Sequence, residues 1–542
     1  MTAYRELAET LEEVAALRGR LAKVARLAAT LARVDADELP AAARMLSGSP
    51  FAENEQVVTS VGYATILRAA SAATGWDEET VRACAVAIGD LGEAIGLLRP
   101  PEAPGGMTIG EADRFFRGLA GLRKSAAKRE ALEAMLARAS AVEAKYLLKT
   151  LSGGLRIGAD VTTVEEAIAQ AFGRDRDAVA RARRDSGDVG ETAAAARGDR
   201  LAEIRFRPFH PIGFMLASPI ESAEEVAGEL ADFAVEDKFD GIRAHAHKDG
   251  ERVALFSRTL DDVTAQFPEV ARALARLDGA FLLDGEIVAW EGGAGEGRPA
   301  SFFRLQRRLG RKAPEETLLA EIPTAFIAYD CLARRGTPLF EESWEARRRE
   351  LEAVASGTPL RVSEVFRAES PAALEALFDA ARARGNEGLV LKRRDSAYQA
   401  GKRGRAWRKW KKALASIDVV VTAVEQGHGK RAGMLSDYTF AVRTDDGFVN
   451  IGKAYSGLSD EEIRALSTRF RKSTVARYGP VRAVTPEIVI EVSFDSIQKS
   501  ARHKSGFALR FPRIVRLRPD KSAGEVTSLE EVRDLFDRLS GK

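Results

Sequence analysis

Only two cysteines, Cys84 and Cys331, stand among 542 residues. Two thiols cannot build a four-cysteine zinc site or a disulfide framework, so both are read as buried thiols and the fold must rest on its cores. Long apolar runs are also missing, and none approaches the roughly 18 residues that span a bilayer. The first residues carry Glu6, Glu9, Glu12 and Glu13 where a signal peptide would place an apolar stretch, which predicts a cytosolic or nuclear protein with no membrane partner. A dominant charge is absent too: Lys+Arg 82 against Asp+Glu 80 leaves +2, a balance that names no partner. No Gly-Lys pair is followed by Ser or Thr, so a P-loop is excluded and any nucleotide is held by other means.

What is present is a chain that is 45% hydrophobic and 30% charged, able to bury sizeable cores and long enough for three or four domains. Its cations are unevenly placed. Ten Lys/Arg lie between Lys392 and Lys412 against Asp395 alone, and eight between Lys499 and Lys521 against Asp520 alone. Such stripes are an electrostatic footprint for phosphate.

The first two hundred residues read as helical. Leu7, Leu11, Val14, Leu17, Leu21, Val24, Leu27 and Leu31 form one apolar stripe, predicting a single long docked helix. A break at Arg99 to Gly106 divides the region, and Gly89-Asp-Leu-Gly-Glu93 recurs as Gly187-Asp-Val-Gly-Glu191, which suggests two related helical halves. From about Phe206 the texture changes. Ile242 to His247 and Arg252 to Ser257, joined through Asp249-Gly250, predict a β-hairpin. Further strands are expected at 282–290, 326–332 and 388–392, a helix at 371–384, and a flexible Gly-rich connection at Glu291 to Gly297. Beyond Ile417, strands at 418–424, 438–442 and 487–492 indicate a mostly β domain.

The sharpest string is Glu236-Asp-Lys238-Phe-Asp240-Gly241-Ile-Arg243. A lysine that ends an apolar strand, with an arginine close by, can act as a nucleophile if nearby cations favour its neutral amine. Downstream come Asp284-Gly-Glu286, Glu387-Gly-Leu-Val-Leu-Lys392 and Trp407-Arg-Lys409-Trp-Lys411. Alternation puts Lys409 and Lys411 on one strand face and Trp410 on the other. Carboxylates on apolar strands need partners, and a hard divalent cation is an economical one. Carboxylates, lysines and an arginine converging on one cavity describe a polyphosphate site. His245 and His247 alternate on the hairpin, lack a third ligand and are expected at the surface.

With these motifs in order, joined by Ser257-Arg258-Thr259, Phe326-Ile-Ala-Tyr329-Asp330 and Arg518-Pro-Asp520-Lys521, the sequence resembles the ATP-dependent DNA ligases, which are covalent nucleotidyltransferases. Leu151-Ser-Gly-Gly-Leu-Arg156-Ile-Gly158 extends the likeness to the DNA-encircling domain of the three-domain members. The resemblance implies an all-α DNA-binding domain at 1–203, an α+β adenylyltransferase domain at 204–414 and a β-barrel OB-fold domain at 415–542. It implies that Lys238 attacks the α-phosphate of ATP to form a lysine-AMP adduct. Glu236 would read the adenine amino group, and Tyr329, where most relatives carry Phe, would stack on the ring. Arg243 and Arg258 would hold ribose and phosphate, while Glu286 and Glu387 would serve ribose and Mg²⁺, with Mn²⁺ as an alternative. Arg403, Lys409 and Lys411 would bind the α-phosphate, and Asp520 and Lys521 would orient pyrophosphate.

The same likeness places Arg156, Phe302, Arg308, Arg510 and Phe511 against nicked double-stranded DNA. It implies a monomer, cytoplasmic and nucleoid-associated in a prokaryote, with a sliding clamp or repair proteins as the class of protein partner. RNA ligase and a catalytically silent DNA clamp are the alternatives. An NAD-dependent ligase is disfavoured by the missing four-cysteine module, and a capping enzyme by the helical region.

Overall fold

The computed structural model describes the chain apart from residues 101–104, 293–296, 301, 310, 312, 412–414, 428–430, 432, 501, 541 and 542. Part of the expected break after Arg99, part of the Gly-rich connection and the boundary at 414 therefore lie outside the described residues. The chain forms two compact units, Met1–Gly62 with Pro104–Lys412, and Tyr63–Ala103 with Ala413–Lys542. Among the described residues no helix is long and apolar enough to cross a membrane.

The first unit opens with helices Tyr4–Ala16 and Arg20–Arg33. The apolar stripe is therefore carried by two helices rather than one. Leu17 turns extended and Gly19 caps the second helix, so Leu21, predicted to be on the stripe, is 82% exposed. The recurring Gly-Asp string is a junction device. Gly89 and Gly187 end helices in the left-handed region at φ 85° and 69°, and Asp90 and Asp188 accept amide hydrogen bonds at the starts of the next helices. The two copies fall in different units.

Further helices follow as far as Val189–Arg197, and from Leu216 onward the first unit is built on two sheets. One runs in the order Leu216–Ile220, Arg403–Trp410, Gly388–Arg393, Phe233–Lys238, Val365–Phe366. The other has Arg252–Ser257, Ile242–Asp249, Phe281–Glu291, Thr324–Arg334 and Thr337–Pro338 in sequence across it. The predicted hairpin is present, with Gly250 at its turn at φ 55°. Helix Pro371–Ala383 packs Leu374 and Phe378 with Leu389, Leu391 and Trp410 of the first sheet.

One expectation is corrected here. His245 and His247 are fully buried, because the segment around Phe209 and Phe214 covers the outer face of their strand. His245 stacks on Phe214 with centroids 3.8 Å apart, and His247 Nδ1 accepts the Phe209 amide at 3.1 Å. Burial lowers the pKa of both, and that of His210, below the usual value. An unfolded histidine binds a proton as pH falls through about 6.5, whereas these three resist it, so stability declines below that pH. Glu286, pushed up to about 8, acts in the opposite sense and loses stability as pH rises from the ordinary carboxylate range toward 8. With three groups against one, stability is expected to fall by up to about 3 kcal/mol per pH unit below 6.5. Denaturant unfolding at pH 7 and pH 5.5 checks this, and a flat profile would refute it.

The second unit holds helices Tyr63–Thr74, Glu78–Ile88 and Leu91–Leu98 and a β-rich region. There the long strand Ala415–Gln426 pairs with Leu435–Thr444, Val481–Val484 and Val489–Phe494. Among the described residues both cysteines are free thiols. Cys331 is buried as expected, but Cys84 is only partly so.

Candidate active site

Strand Phe233–Lys238 sends Glu236 and Lys238 to one face, two residues apart, and Asp237 to the other. Asp237 is fixed there by Arg384 at 2.7 and 2.8 Å and by Asn386 at 2.8 Å. Four residues later, past the link 239–241, the chain enters strand Ile242–Asp249 of the second sheet, so Lys238 sits at the seam of the two sheets. Gly241 makes this crossing possible, since a Cβ there would run into the Ile287 carbonyl oxygen.

Lys238 Nζ contacts Glu387 Oε2. Burial favours the neutral amine, but Glu387, then Glu286 and Asp240, outweigh it and raise the pKa. The resting Lys238 side chain is therefore an ammonium. Glu387 is penalised by burial yet held ionised by Lys238 and Lys411, whereas Glu286 is pushed up to about 8 by burial with Glu387 and Asp284 adding to it. Lys409 has its pKa lowered by burial and by Arg403, Lys238, Lys411 and Arg258. Five of the sequence-predicted cations thus crowd one region beside two predicted carboxylates, and such a cluster calls for an anion.

Arg243, expected to hold ribose and phosphate, is anchored by protein partners. Its Nε and Nη2 donate to Asp284 at 3.0 and 2.6 Å and Nη1 to the Met215 carbonyl at 2.7 Å. Asp284, opposed by burial, is held far below the carboxylate range by that fork. Tyr329 is half-buried, with Lys392 Nζ 4.4 Å from its ring centre. Arg403 and Arg258 are exposed, Arg403 donating to the Ala217 carbonyl at 3.0 Å.

In the second unit, Asp418 gathers two cations that sequence reading had not linked to it. Its carboxylate accepts from Arg518 at 2.9 and 3.0 Å and from Lys521 at 2.6 Å. Arg518 also donates to Asp520 at 2.7 Å, which draws that carboxyl down to about 2.

The residues expected on DNA separate into two groups. Phe511 is 65% exposed in the left-handed region at φ 51°, and Arg510 lies over its ring at 4.7 Å; Arg156 is exposed at φ 52°. A bulky residue held at positive φ in the open is strained, and strain of this kind gathers at functional sites. Arg308 and Phe302 correct the expectation. Arg308 is fully buried, donating to Glu269 and to the carbonyls of Gln266 and Ile322 at 2.6 and 3.1 Å, because a buried guanidinium needs a charge partner and acceptors in the interior. Phe302 is 8% exposed and packs in the core with Phe267, Leu305 and Phe326.

Sequence reading missed Asp284 as the partner of Arg243, as well as Asp418 and Ser363. Asp284 was signalled by its place inside an apolar strand. Asp418 and Ser363 carried no signal, because their partners are 100 and 127 residues away. Among the described residues no group of three or more His, Cys, Asp or Glu could hold a metal ion.

Comparison with known proteins gives this geometry its family. Residues 3–169 match the model "DNA ligase N terminus", 214–411 "ATP dependent DNA ligase domain" and 431–521 "ATP dependent DNA ligase C terminal region". A probable DNA ligase of Koribacter versatilis is 44% identical over 558 residues, covering 98% of this chain and 96% of the relative. A DNA ligase of Methanoculleus marisnigri is 34% identical, covering 99% and 98%. A solved structure titled Pmar-Lig_PreS3 shares the fold at 17% identity and a TM-score of 0.62, covering 94% of this chain and 99% of that one. The chain belongs to the ATP-dependent DNA ligases. It has their N-terminal helical region, α+β middle domain and C-terminal β-rich domain, and it is an enzyme that seals nicks in DNA with ATP.

Proposed function

We propose that Lys238 is the residue adenylylated by ATP, and the observation that carries this is its contact with Glu387 inside a cluster of five cations. The amine attacks the α-phosphorus, the bond to pyrophosphate breaks and the ammonium proton leaves. A 5′-phosphate oxygen of the nick then attacks the same phosphorus and the N–P bond breaks. The 3′-hydroxyl finally displaces AMP. Each step is an in-line displacement helped mainly by positioning and charge neutralisation.

Arg258, Arg403, Lys409 and Lys411 neutralise the α-phosphate, and Tyr329 offers a π-face to the base. Arg243 orients the site through Asp284. Asp520 and Lys521 act on the departing pyrophosphate. Glu286 and Glu387 suit Mg²⁺, since burial pushes the Glu286 carboxyl up to about 8 despite Lys238 and Arg243 nearby, and this metal takes one or two carboxylates plus substrate phosphates. Bound there, Mg²⁺ would supply charge neutralisation at the phosphates. Exposed, strained Phe511 fits a minor-groove contact beside the nick, with Arg510 and Arg156 on the backbone. The C-terminal β region is read as an OB-fold and the domains as 1–203, 204–414 and 415–542. The protein is taken to act as a cytoplasmic monomer on nicked duplex DNA.

The test uses ATP labelled at the α-phosphate. An alkali-stable, acid-labile label, as a phosphoramide gives, is expected on the protein, discharged by a nicked duplex bearing a 5′-phosphate and retained with a 5′-hydroxyl nick. Absence of covalent label would refute the assignment. Preference for nicks in RNA strands would favour RNA ligase.

A further inference from the structure

Glu236, Ser363 and Lys392 are each 1% exposed and meet in one cluster next to the Tyr329 ring. Glu236 Oε2 accepts from the Ser363 hydroxyl at 2.7 Å and from Lys392 Nζ at 3.0 Å. Lys392 is also 3.0 Å from Oε1 and donates to the Tyr329 carbonyl at 3.1 Å. Oε1 is buried and has no aligned hydrogen bond. Buried polar atoms are seldom left in that condition, and a bound group that donates a proton would relieve it.

The direction of the serine hydrogen bond is set by a fourth residue. Arg348 donates from Nη1 to Ser363 Oγ at 3.3 Å and from Nη2 to the Ser363 carbonyl at 2.8 Å. A guanidinium only donates, so the hydroxyl accepts from it and gives its proton to Glu236. Ser363 is anchored independently, its amide donating to the Ala328 carbonyl at 2.9 Å, next to Tyr329. One oxygen of Glu236 is thereby engaged by two fixed donors, and the other remains an acceptor.

We propose that Ser363, oriented by Arg348, is a positioning residue for nucleobase selectivity: it holds Glu236 so that its open oxygen accepts a purine 6-amino group and repels a 6-oxo group. The proposal rests on the assignment of Glu236 to the adenine of ATP. A purine with an exocyclic amine gives Oε1 the aligned hydrogen bond it lacks, whereas a 6-oxo purine sets two acceptors against each other in a buried site. Discrimination by an unpaired buried polar group is the strong kind, because the wrong ligand leaves that group unsatisfied. Lys392 pairs with the carboxylate, and Ser363 fixes its rotation.

The experiment measures formation of the covalent AMP or IMP adduct against concentration of ATP and of inosine triphosphate. For Ser363→Ala the ATP concentration giving half-maximal rate is expected to rise about tenfold at an unchanged maximal rate, the loss of one hydrogen bond to a charged group. The preference for ATP over inosine triphosphate should shrink by a similar factor. Ser363→Thr, which keeps the hydroxyl, should restore both, and Arg348→Met should shift them the same way by less. Equal shifts for the two nucleotides, or a lower maximal rate with no change in the ATP requirement, would overturn the proposal. A wild-type protein that takes no label from ATP would instead sink the reading on which it rests.

Discussion

Lys238→Ala is expected to abolish the covalent AMP adduct and all sealing that starts from ATP. No other group replaces a primary amine placed at the seam of the two sheets beside Glu387 and Glu286. Lys238→Arg should fail as completely, because a guanidinium cannot surrender a proton to become a nucleophile. Both variants should fold, since the side chain is only partly buried at 23% exposure and its removal leaves Glu387 near Lys411. The decisive comparison is ATP labelling beside sealing of a nick that already carries 5′-AMP. Loss of the first with survival of the second separates the nucleophile from the fold. Substantial labelling of Lys238→Ala would move the adduct to another lysine.

The second large effect concerns stability. Asp330, next to Tyr329 in its strand, and Arg347 are both fully buried and bonded twice, at 2.8 and 2.9 Å. Arg347 also donates to the Glu342 and Ser396 carbonyls at 2.6 and 3.0 Å. Asp330→Ala leaves a guanidinium uncompensated in the interior, which costs about 3–5 kcal/mol when a buried pair loses one partner. Asp330→Leu combined with Arg347→Met should regain most of that loss, because both charges leave the core together. Thermal unfolding of the single and double variants checks it. If the double were no better than Asp330→Ala, the carbonyl contacts of Arg347 rather than its ion pair would be the source of stability.

Sequence legibility followed range. The hairpin, the helix after Pro371 and the order of the site strings could be read because each depends on a few adjacent residues, such as the Gly250 turn or the spacing from Lys238 to Arg243. Burial across a sheet could not. His245 and His247 looked exposed because they alternate with Ala244 and Ala246, yet a loop some forty residues earlier covers them. Arg308 looked like one more surface cation until Glu269, 39 residues away, met it in the interior. The first stripe had the right period but could not reveal that Leu17 leaves the helix. Lys238 therefore stood out from its neighbours as a candidate, whereas the set of Asp418, Arg518 and Lys521, and that of Glu236 and Ser363, required the fold.

The position of Lys238 at the seam has a mechanical consequence. Glu387, Lys409 and Arg403 belong to or adjoin one sheet, and Glu286, Arg258 and Tyr329 the other. Any nucleotide that engages both sets is a rivet between two plates joined here by the three-residue link 239–241. Loading should therefore stiffen strands far from the nucleotide as well as the residues touching it. Amide hydrogen exchange in Phe281–Glu291 and Gly388–Arg393 should slow together on addition of ATP, and the melting temperature should rise as one transition. In such an arrangement the bound nucleotide is a temporary part of the scaffold, and departure of AMP with the sealed product returns the plates to their looser coupling.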